Sequence, residues 1–202
     1  VVDGPLRISY VELAHRVRCA AGAFAEFGIG RGDRVAIWAP NSAAWLIAAF
    51  GLVTAGGVLV PVNTRFKAEE AADIITRSGA KAVLVQNGFL GQDFSVPEGF
   101  PAIEITSDFL SSGRPYEARG LLGTDIADVI YTSGTTGRAK GVMMNHEQTL
   151  RLYSEWCDLA DLREGDRYLI VNPFFHTFGY KAGCIASLIR GATILPVAVF
   201  EV

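Results

Sequence analysis

A run of about thirty residues, from Val35 to Thr64, contains no Asp, Glu, Lys or Arg. That exceeds the ~20 apolar residues needed to cross a bilayer, so a membrane span and a buried core compete for it. Punctuation inside the run decides the matter. Pro40-Asn41-Ser42 is a helix-start signal, Gly56-Gly57 stops a helix, and Val58 to Val62 is rich in β-branched residues with Pro61 among them. The run divides into a strand (Arg34 to Ala39), a helix (about Ala43 to Ala55) and a second short strand, each too short to span. A buried βαβ unit is expected, and no transmembrane segment.

The same alternation continues on both sides. Ser9-Tyr10-Val11-Glu12 has capping-box spacing and opens a helix to Gly28; Gly30-Arg31-Gly32-Asp33 turns the chain into the strand at Arg34. A helix is expected from Lys67 to Ser78, with Glu69 and Glu70 in its first turn and Gly79 at its end, then a strand from Lys81 to Gln86. Asn87 to Gly123 is richer in Gly, Ser and Pro and reads as a connector with a short strand near Ala102 to Ile105. Beyond it come a strand at Asp128 to Tyr131, a strand at Gly141 to Met144 and a helix capped by Asn145-His146-Glu147-Gln148 running to about Leu159. A strand from Arg167 to Asn172, a helix from Phe178 to Arg190 and a strand from Ala192 to Val197 follow. The expected fold class is α/β, with mainly parallel sheets flanked by helices in two βαβ-type halves. The halves fall at about 1–86 and 124–202, joined by a connector over 87–123.

Composition removes several functions. Lys+Arg 18 against Asp+Glu 21 gives a net charge of -3, so nothing electrostatic points to nucleic acid. Cys19, Cys157 and Cys184 are far apart and never form a C-x-x-C pair, which supports neither a disulfide framework nor a zinc site. A reducing cytoplasm is the expected location, and no metal site is assigned to the protein's own residues.

The chemistry concentrates in Tyr131-Thr132-Ser133-Gly134-Thr135-Thr136-Gly137-Arg138-Ala139-Lys140-Gly141. A buried strand empties into a loop with glycines, hydroxyls and a terminal lysine. Exposed amides, hydroxyl donors and a compact positive charge suit a polyphosphate. It is not a Walker loop, which would need Gly at Ala139 and Ser or Thr at Gly141. On composition alone a Gly/Thr-rich surface turn stays open.

The eleven-residue string resembles the phosphate-binding signature of the adenylate-forming (AMP-binding) superfamily, with Ala139 where many members have Pro. Asn172-Pro173-Phe174-Phe175-His176 followed by Gly179 is similar to the family's next core motif. Ile8 to Leu13, Gly32 to Ile37 and Ala55 to Asn63 resemble the N-terminal part of bacterial acyl-CoA ligases, and the Phe174 to Gly183 stretch is most similar to actinobacterial fatty-acyl and sterol-degradation ligases.

The resemblance implies that a carboxylate attacks the α-phosphate of ATP, pyrophosphate leaves, and CoA displaces AMP, with Mg2+ accompanying the nucleotide. It assigns Thr132, Ser133, Gly134, Thr135, Thr136, Gly137 and Lys140 to the phosphates, and makes Lys140 and His176 the catalytic candidates. It places Phe175, His176, Phe178, Gly179 and Gly183 at the acyl pocket. For the residues of the 178–190 helix, simple packing on the sheet is the equal alternative, and a lone His beside two Phe is by default a core residue. Lys181 is expected to snorkel to solvent, with a pairing to a polar substrate group as the alternative. The family's magnesium-binding Glu, ribose-binding Asp and lid Lys have no counterpart before Val202, so an N-terminal portion, inactive by itself, is expected. The implied partners are a fatty or sterol-derived acid, ATP and CoA, with a homodimer left open. A carrier-protein-loading adenylation domain and a non-catalytic nucleotide-binding module are the alternatives.

Overall fold

The computed structural model describes residues 1–105, 107–132 and 138–200. The elements are β1 (Val2–Asp3), β2 (Leu6–Arg7), α1 (Tyr10–Glu26), β3 (Arg34–Trp38), α2 (Ala43–Thr54), β4 (Val58–Pro61), α3 (Ala68–Ser78), β5 (Ala82–Val85), β6 (Ala102–Glu104) and α4 (Ser107–Ser112). They continue with β7 (Ile126–Thr132), β8 (Lys140–Asn145), α5 (His146–Leu159), β9 (Arg167–Ile170), a π-helical segment over Phe178–Ile185, α6 (Ala186–Arg190) and β10 (Thr193–Pro196).

Six strands form one sheet in the order β6-β5-β3-β4-β7-β8. All neighbours run parallel except β7 and β8, an antiparallel hairpin. The connector does not interrupt this sheet, because β7 pairs with β4 through Leu59 and Asp128. β9 and β10 make a separate two-stranded parallel sheet.

The charge-free run is explained by layers. Val35 and Ile37 point into one core with Phe24, Trp45, Leu46 and Tyr180, while Ala36 and Trp38 point into a second core with Val60, Ile75 and Val83. A strand covered on both faces has no position at which a charge meets water, so period-2 polarity disappears. Eight of the twelve residues of α2 are buried as well, and none is exposed. At 12 residues it is about 18 Å long, well short of a bilayer core. Among the described residues, no helix is long and apolar enough to cross a membrane.

Local chemistry sets the element ends. Ser42 Oγ accepts from the Trp45 amide at 3.1 Å and starts α2. Gly79 closes α3 in the left-handed region at φ 64. Asn145 and Gln148 form the reciprocal capping box expected of them. At Ser9 only half of a box forms: its hydroxyl accepts from the Glu12 amide, while the Glu12 carboxylate takes Arg16 one turn on. The helix expected over Phe178 to Arg190 is π-helical for its first eight residues and α-helical only in α6.

Candidate functional site

The hairpin β7–β8 frames the loop. Thr132 and Lys140 stand directly opposite in its register, both exposed. Opposed side chains on such a pair are about 5 Å apart at Cβ, so the strands deliver a hydroxyl and an ammonium to one mouth. Ser133, Gly134, Thr135, Thr136 and Gly137, assigned above to phosphates, lie outside the described residues.

The C-terminal arm of the loop is fastened to α3. Arg138 Nη2 donates to Asp73 Oδ1 at 2.8 Å, and Arg77 Nη1 to Asp73 Oδ2 at 2.7 Å. Arg77 Nη2 also donates to the Ala139 carbonyl at 2.5 Å, and its guanidinium lies 5.3 Å from the centre of the Tyr131 ring. The hydrogen bond from Arg138 is the leading reason that Asp73 is held below the ordinary carboxylate range. Lys140 is left out of this network and has no ion-pair partner among the described residues.

A cleft of about 620 Å³ opens at the C-terminal ends of β4 and β7, lined by Tyr131, Thr132, Arg138, Phe175 and His176 together with Asp73. The carboxyl edge of a parallel sheet is where open α/β folds bind ligands. Thr132 at the loop mouth and His176 of the second motif, 44 residues apart in sequence, therefore border one cavity. His176 is exposed rather than a core residue, and its Nδ1 accepts from the Phe178 amide at 3.2 Å. With Nδ1 accepting, the ring hydrogen sits on Nε2, which is left to donate to a ligand. Phe175 borders this cleft and also a neighbouring one of about 630 Å³ that reaches Asn41 and Pro173.

Asn41 is a supporting residue that its local sequence disguises as a helix cap. The cap is Ser42; the buried Asn41 side chain donates to the Asn172 carbonyl at 2.9 Å and accepts from the Phe174 amide at 2.7 Å. It thereby clamps the turn that presents Phe175 and His176. No local pattern signals a bond across 133 residues.

The other acyl-wall candidates sit elsewhere. Phe178 packs edge-on against Trp156 with ring centroids 5.6 Å apart and is absent from both clefts. Gly179 and Gly183 are buried close-contact positions: a Cβ at Gly179 would come 2.3 Å from the Pro173 carbonyl oxygen, and one at Gly183 would come 2.8 Å from Ile170 Cδ1. Both let the π-helical segment lie flush on the chain before it.

Lys181 overturns the expectation that it reaches solvent. It is fully buried, with Nζ 2.8 Å from Asp128 Oδ2 of β7 and 3.2 Å from the Thr149 hydroxyl of α5. The physical reason is the π-helical register, which turns position 181 toward the sheet. Burial opposes both charges. It raises Asp128 above the ordinary carboxylate range despite Lys181, and it lowers Lys181 despite Asp128.

Among the described residues no group of three or more His, Cys, Asp or Glu side chains gathers to hold a metal.

Comparison with known proteins agrees with this architecture. The AMP-binding enzyme family profile matches residues 1–201. A methyl-dioxo-octahydroindenyl-propanoyl:CoA ligase of Rhodococcus jostii (strain RHA1) is 40% identical over 100% of this chain and 45% of its own length. The long-chain-fatty-acid–CoA ligase FadD13 of Mycobacterium tuberculosis (strain CDC 1551 / Oshkosh) is 31% identical over 97% of this chain and 41% of its own. The crystal structure of the N-terminal domain of FACL13 from Mycobacterium tuberculosis superposes with a TM-score of 0.85 at 28% identity, over 99% of this chain and 53% of that one. The chain thus spans about half, or less, of the lengths it matches. On a profile match over residues 1–201 and a 40% identical relative, it belongs to the AMP-binding enzyme family.

Proposed function

We propose that the protein carrying this chain is an AMP-forming acid–thiol ligase. In the first half-reaction a carboxylate oxygen attacks the α-phosphorus of ATP, the bond to the bridging oxygen breaks, and pyrophosphate leaves with an acyl-adenylate formed. In the second, the CoA thiol attacks the acyl carbon, AMP leaves, and the thiol proton passes to solvent. The observation that carries this reading is the convergence of Thr132 and His176 on one cleft at the carboxyl edge of the sheet, with Lys140 opposite Thr132 at the loop mouth.

Roles follow from charge. Attack on ATP is helped chiefly by fixed donors facing the phosphates. Thr132, Lys140 and the loop residues Ser133, Gly134, Thr135, Thr136 and Gly137 supply them, Lys140 being a cation without an ion-pair partner among the described residues. The Nε2–H of His176 donates to the carboxylate as it becomes the acyl carbonyl, and Phe175 forms the adjacent wall. The acid is fatty or ring-bearing; higher identity to the octahydroindenyl-propanoyl ligase than to FadD13 favours a ring-bearing acid.

Titration calorimetry with ATP tests the loop. Lys140→Ala should weaken binding by about 10- to 100-fold, the range of one hydrogen bond to a charged group. Equal affinity would reduce the loop to a turn and remove the assignment. Acid-dependent exchange of pyrophosphate into ATP tests the reaction, and its absence with every fatty and ring-bearing acid would end the ligase reading.

A further inference from the structure

Arg77 of α3 has no part in the chemistry proposed above, yet its guanidinium holds both strands of the β7–β8 hairpin. Nη1 donates to Asp73 Oδ2 at 2.7 Å, one turn back on α3, and this aims the fork. Nη2 donates to the Ala139 carbonyl at 2.5 Å, at the entry to β8. Arg77 Cζ lies 5.3 Å from the centre of the Tyr131 ring, within cation–π range. That ring in turn faces Gly141, its partner in the hairpin register, where a Cβ would come 3.2 Å from Tyr131 Cζ. Glycine at 141 gives the ring room to lie across β8. Arg77 therefore bears on β7 through a ring and on β8 through a carbonyl.

That carbonyl belongs to the peptide unit joining Ala139 to Lys140. A peptide is planar, so a bond at its oxygen fixes the plane from which the Lys140 backbone departs. Ala139 by itself leaves two soft dihedrals at this point, where a proline would leave one. Tyr131 packs on the core that α3 covers, and alternation along the strands sets Thr132 and Lys140 on the other face. Arg77 thus grips the backbone beside Lys140 from the face that the lysine side chain leaves. Asp73 receives Arg138 at 2.8 Å as well as Arg77, so the charge of Arg77 is compensated where it stands. Its contribution is geometric.

We propose that Arg77 is a positioning residue for the phosphate site, locking the Ala139–Lys140 peptide against β7 so that the Lys140 ammonium is set in place before ATP binds. The inference rests on the phosphate-loop reading above and adds the group that pre-organises it. Lysine carries its charge on a flexible four-carbon stem, and a fixed backbone lowers the ordering cost of bringing that charge to a phosphate.

The test is a double-mutant cycle of Arg77→Met with Lys140→Ala in the full-length protein carrying this chain, read by titration calorimetry with ATP and with AMP. Arg77→Met should weaken ATP binding by about tenfold, the scale of one hydrogen bond to a charged group. AMP, which lacks the outer phosphates, should bind within about twofold of the parent, the scatter of uncoupled changes. In the Lys140→Ala background the same replacement should move ATP affinity by less than about twofold, because the group it positions is gone. Arg77→Lys keeps the charge but loses the planar fork that serves carboxylate, carbonyl and ring together, and should weaken ATP binding by about threefold or more. This milder change carries the cycle if Arg77→Met does not fold. An equal loss in both backgrounds, an equal loss for AMP, or parent affinity in Arg77→Met or Arg77→Lys overturns the positioning role while Lys140→Ala still weakens ATP. Parent affinity in Lys140→Ala removes the loop reading and this inference together.

Discussion

Breaking the buried pair from either side should destabilise the chain unequally and with opposite pH dependence. Lys181→Met strands Asp128, which has no other donor among the described residues, whereas Asp128→Leu leaves Lys181 with the Thr149 hydroxyl and the Met144 sulfur. Removing one partner of a buried pair costs about 3–5 kcal/mol, and replacing both by apolar groups ranges from neutral to stabilising. We expect Lys181→Met near the upper end, Asp128→Leu near the lower end, and Asp128→Leu/Lys181→Met within about 1 kcal/mol of the parent or above it. Asp128 has a raised folded-state pKa through burial, opposed by Lys181. Without Lys181 that pKa rises further, so the folded state binds a proton before the unfolded state does. The Lys181→Met penalty is therefore fully present above the folded pKa and shrinks as pH falls through it, by up to about 1.4 kcal/mol per pH unit. The reverse holds for Asp128→Leu. Lys181 already has a lowered pKa, and its penalty shrinks as pH rises through that value. His146, half-buried beside the pair and lowered mainly by desolvation, titrates in the parent too, so slopes are read as differences from the parent. Urea unfolding followed by tryptophan fluorescence suits the measurement, since the Trp45 ring lies 5.4 Å from Tyr180, the neighbour of Lys181. Two single variants with the same pH slope, or a double variant as unstable as the singles combined, would refute the account of a pair held against its desolvation.

Three further outcomes follow from close contacts. Gly179→Ala drives a Cβ onto the Pro173 carbonyl oxygen, backbone that has no rotamer to yield; a loss of about 1–3 kcal/mol in urea unfolding is expected, with a raised KM for the acid. Asn41→Ala removes both bonds clamping the 172–174 turn and orphans the Phe174 amide. It should lower stability by about 1–3 kcal/mol and reduce kcat more than it weakens ATP binding in calorimetry. Asp73→Asn loosens Arg138 and Arg77 at a partly exposed site, so the midpoint of unfolding should move little. The KM for ATP should rise a few-fold, an effect that shrinks as salt screens the guanidinium charges.

Elements announced by local chemistry were legible in the sequence. Gly79 and Gly191 end helices where expected, Ser42 and Asn145 start them, and the glycines at 56 and 57 split an uncharged run that length alone would have sent into a membrane. The short helix α4 was missed because six residues inside a Gly- and Ser-rich connector carry little periodicity; tertiary packing holds it, with Gly113 pressed against Ala23 of α1. The clamp made by Asn41 went unseen and Lys181 was misread for a related reason. Each takes its role from a partner 53 or more residues away, Lys181 from Asp128 and Asn41 from Phe174. An Asn before Ser looks like a cap, and a Lys in a helix looks like a surface residue, until the fold supplies that partner.

On the function proposed above, strand β7 ties the phosphate loop and the acyl side into one device. One of its faces is held through Asp128 to the π-helical segment, which follows His176 directly in the chain. The ring of Tyr131, on the opposite face, lies under Arg77 of α3, whose guanidinium also grips the loop at Ala139. Its end, Thr132, pairs with Lys140. A site that works by holding phosphate donors and an acyl group in fixed relation gains from having both anchored to a single rigid strand, because displacements of about 1 Å already cost such sites heavily. The ion pair and the arginine bridge are therefore two ends of the same support. Loosening either should disturb both substrates, with Asp73 variants felt first at ATP and Asp128 or Lys181 variants first at the acid.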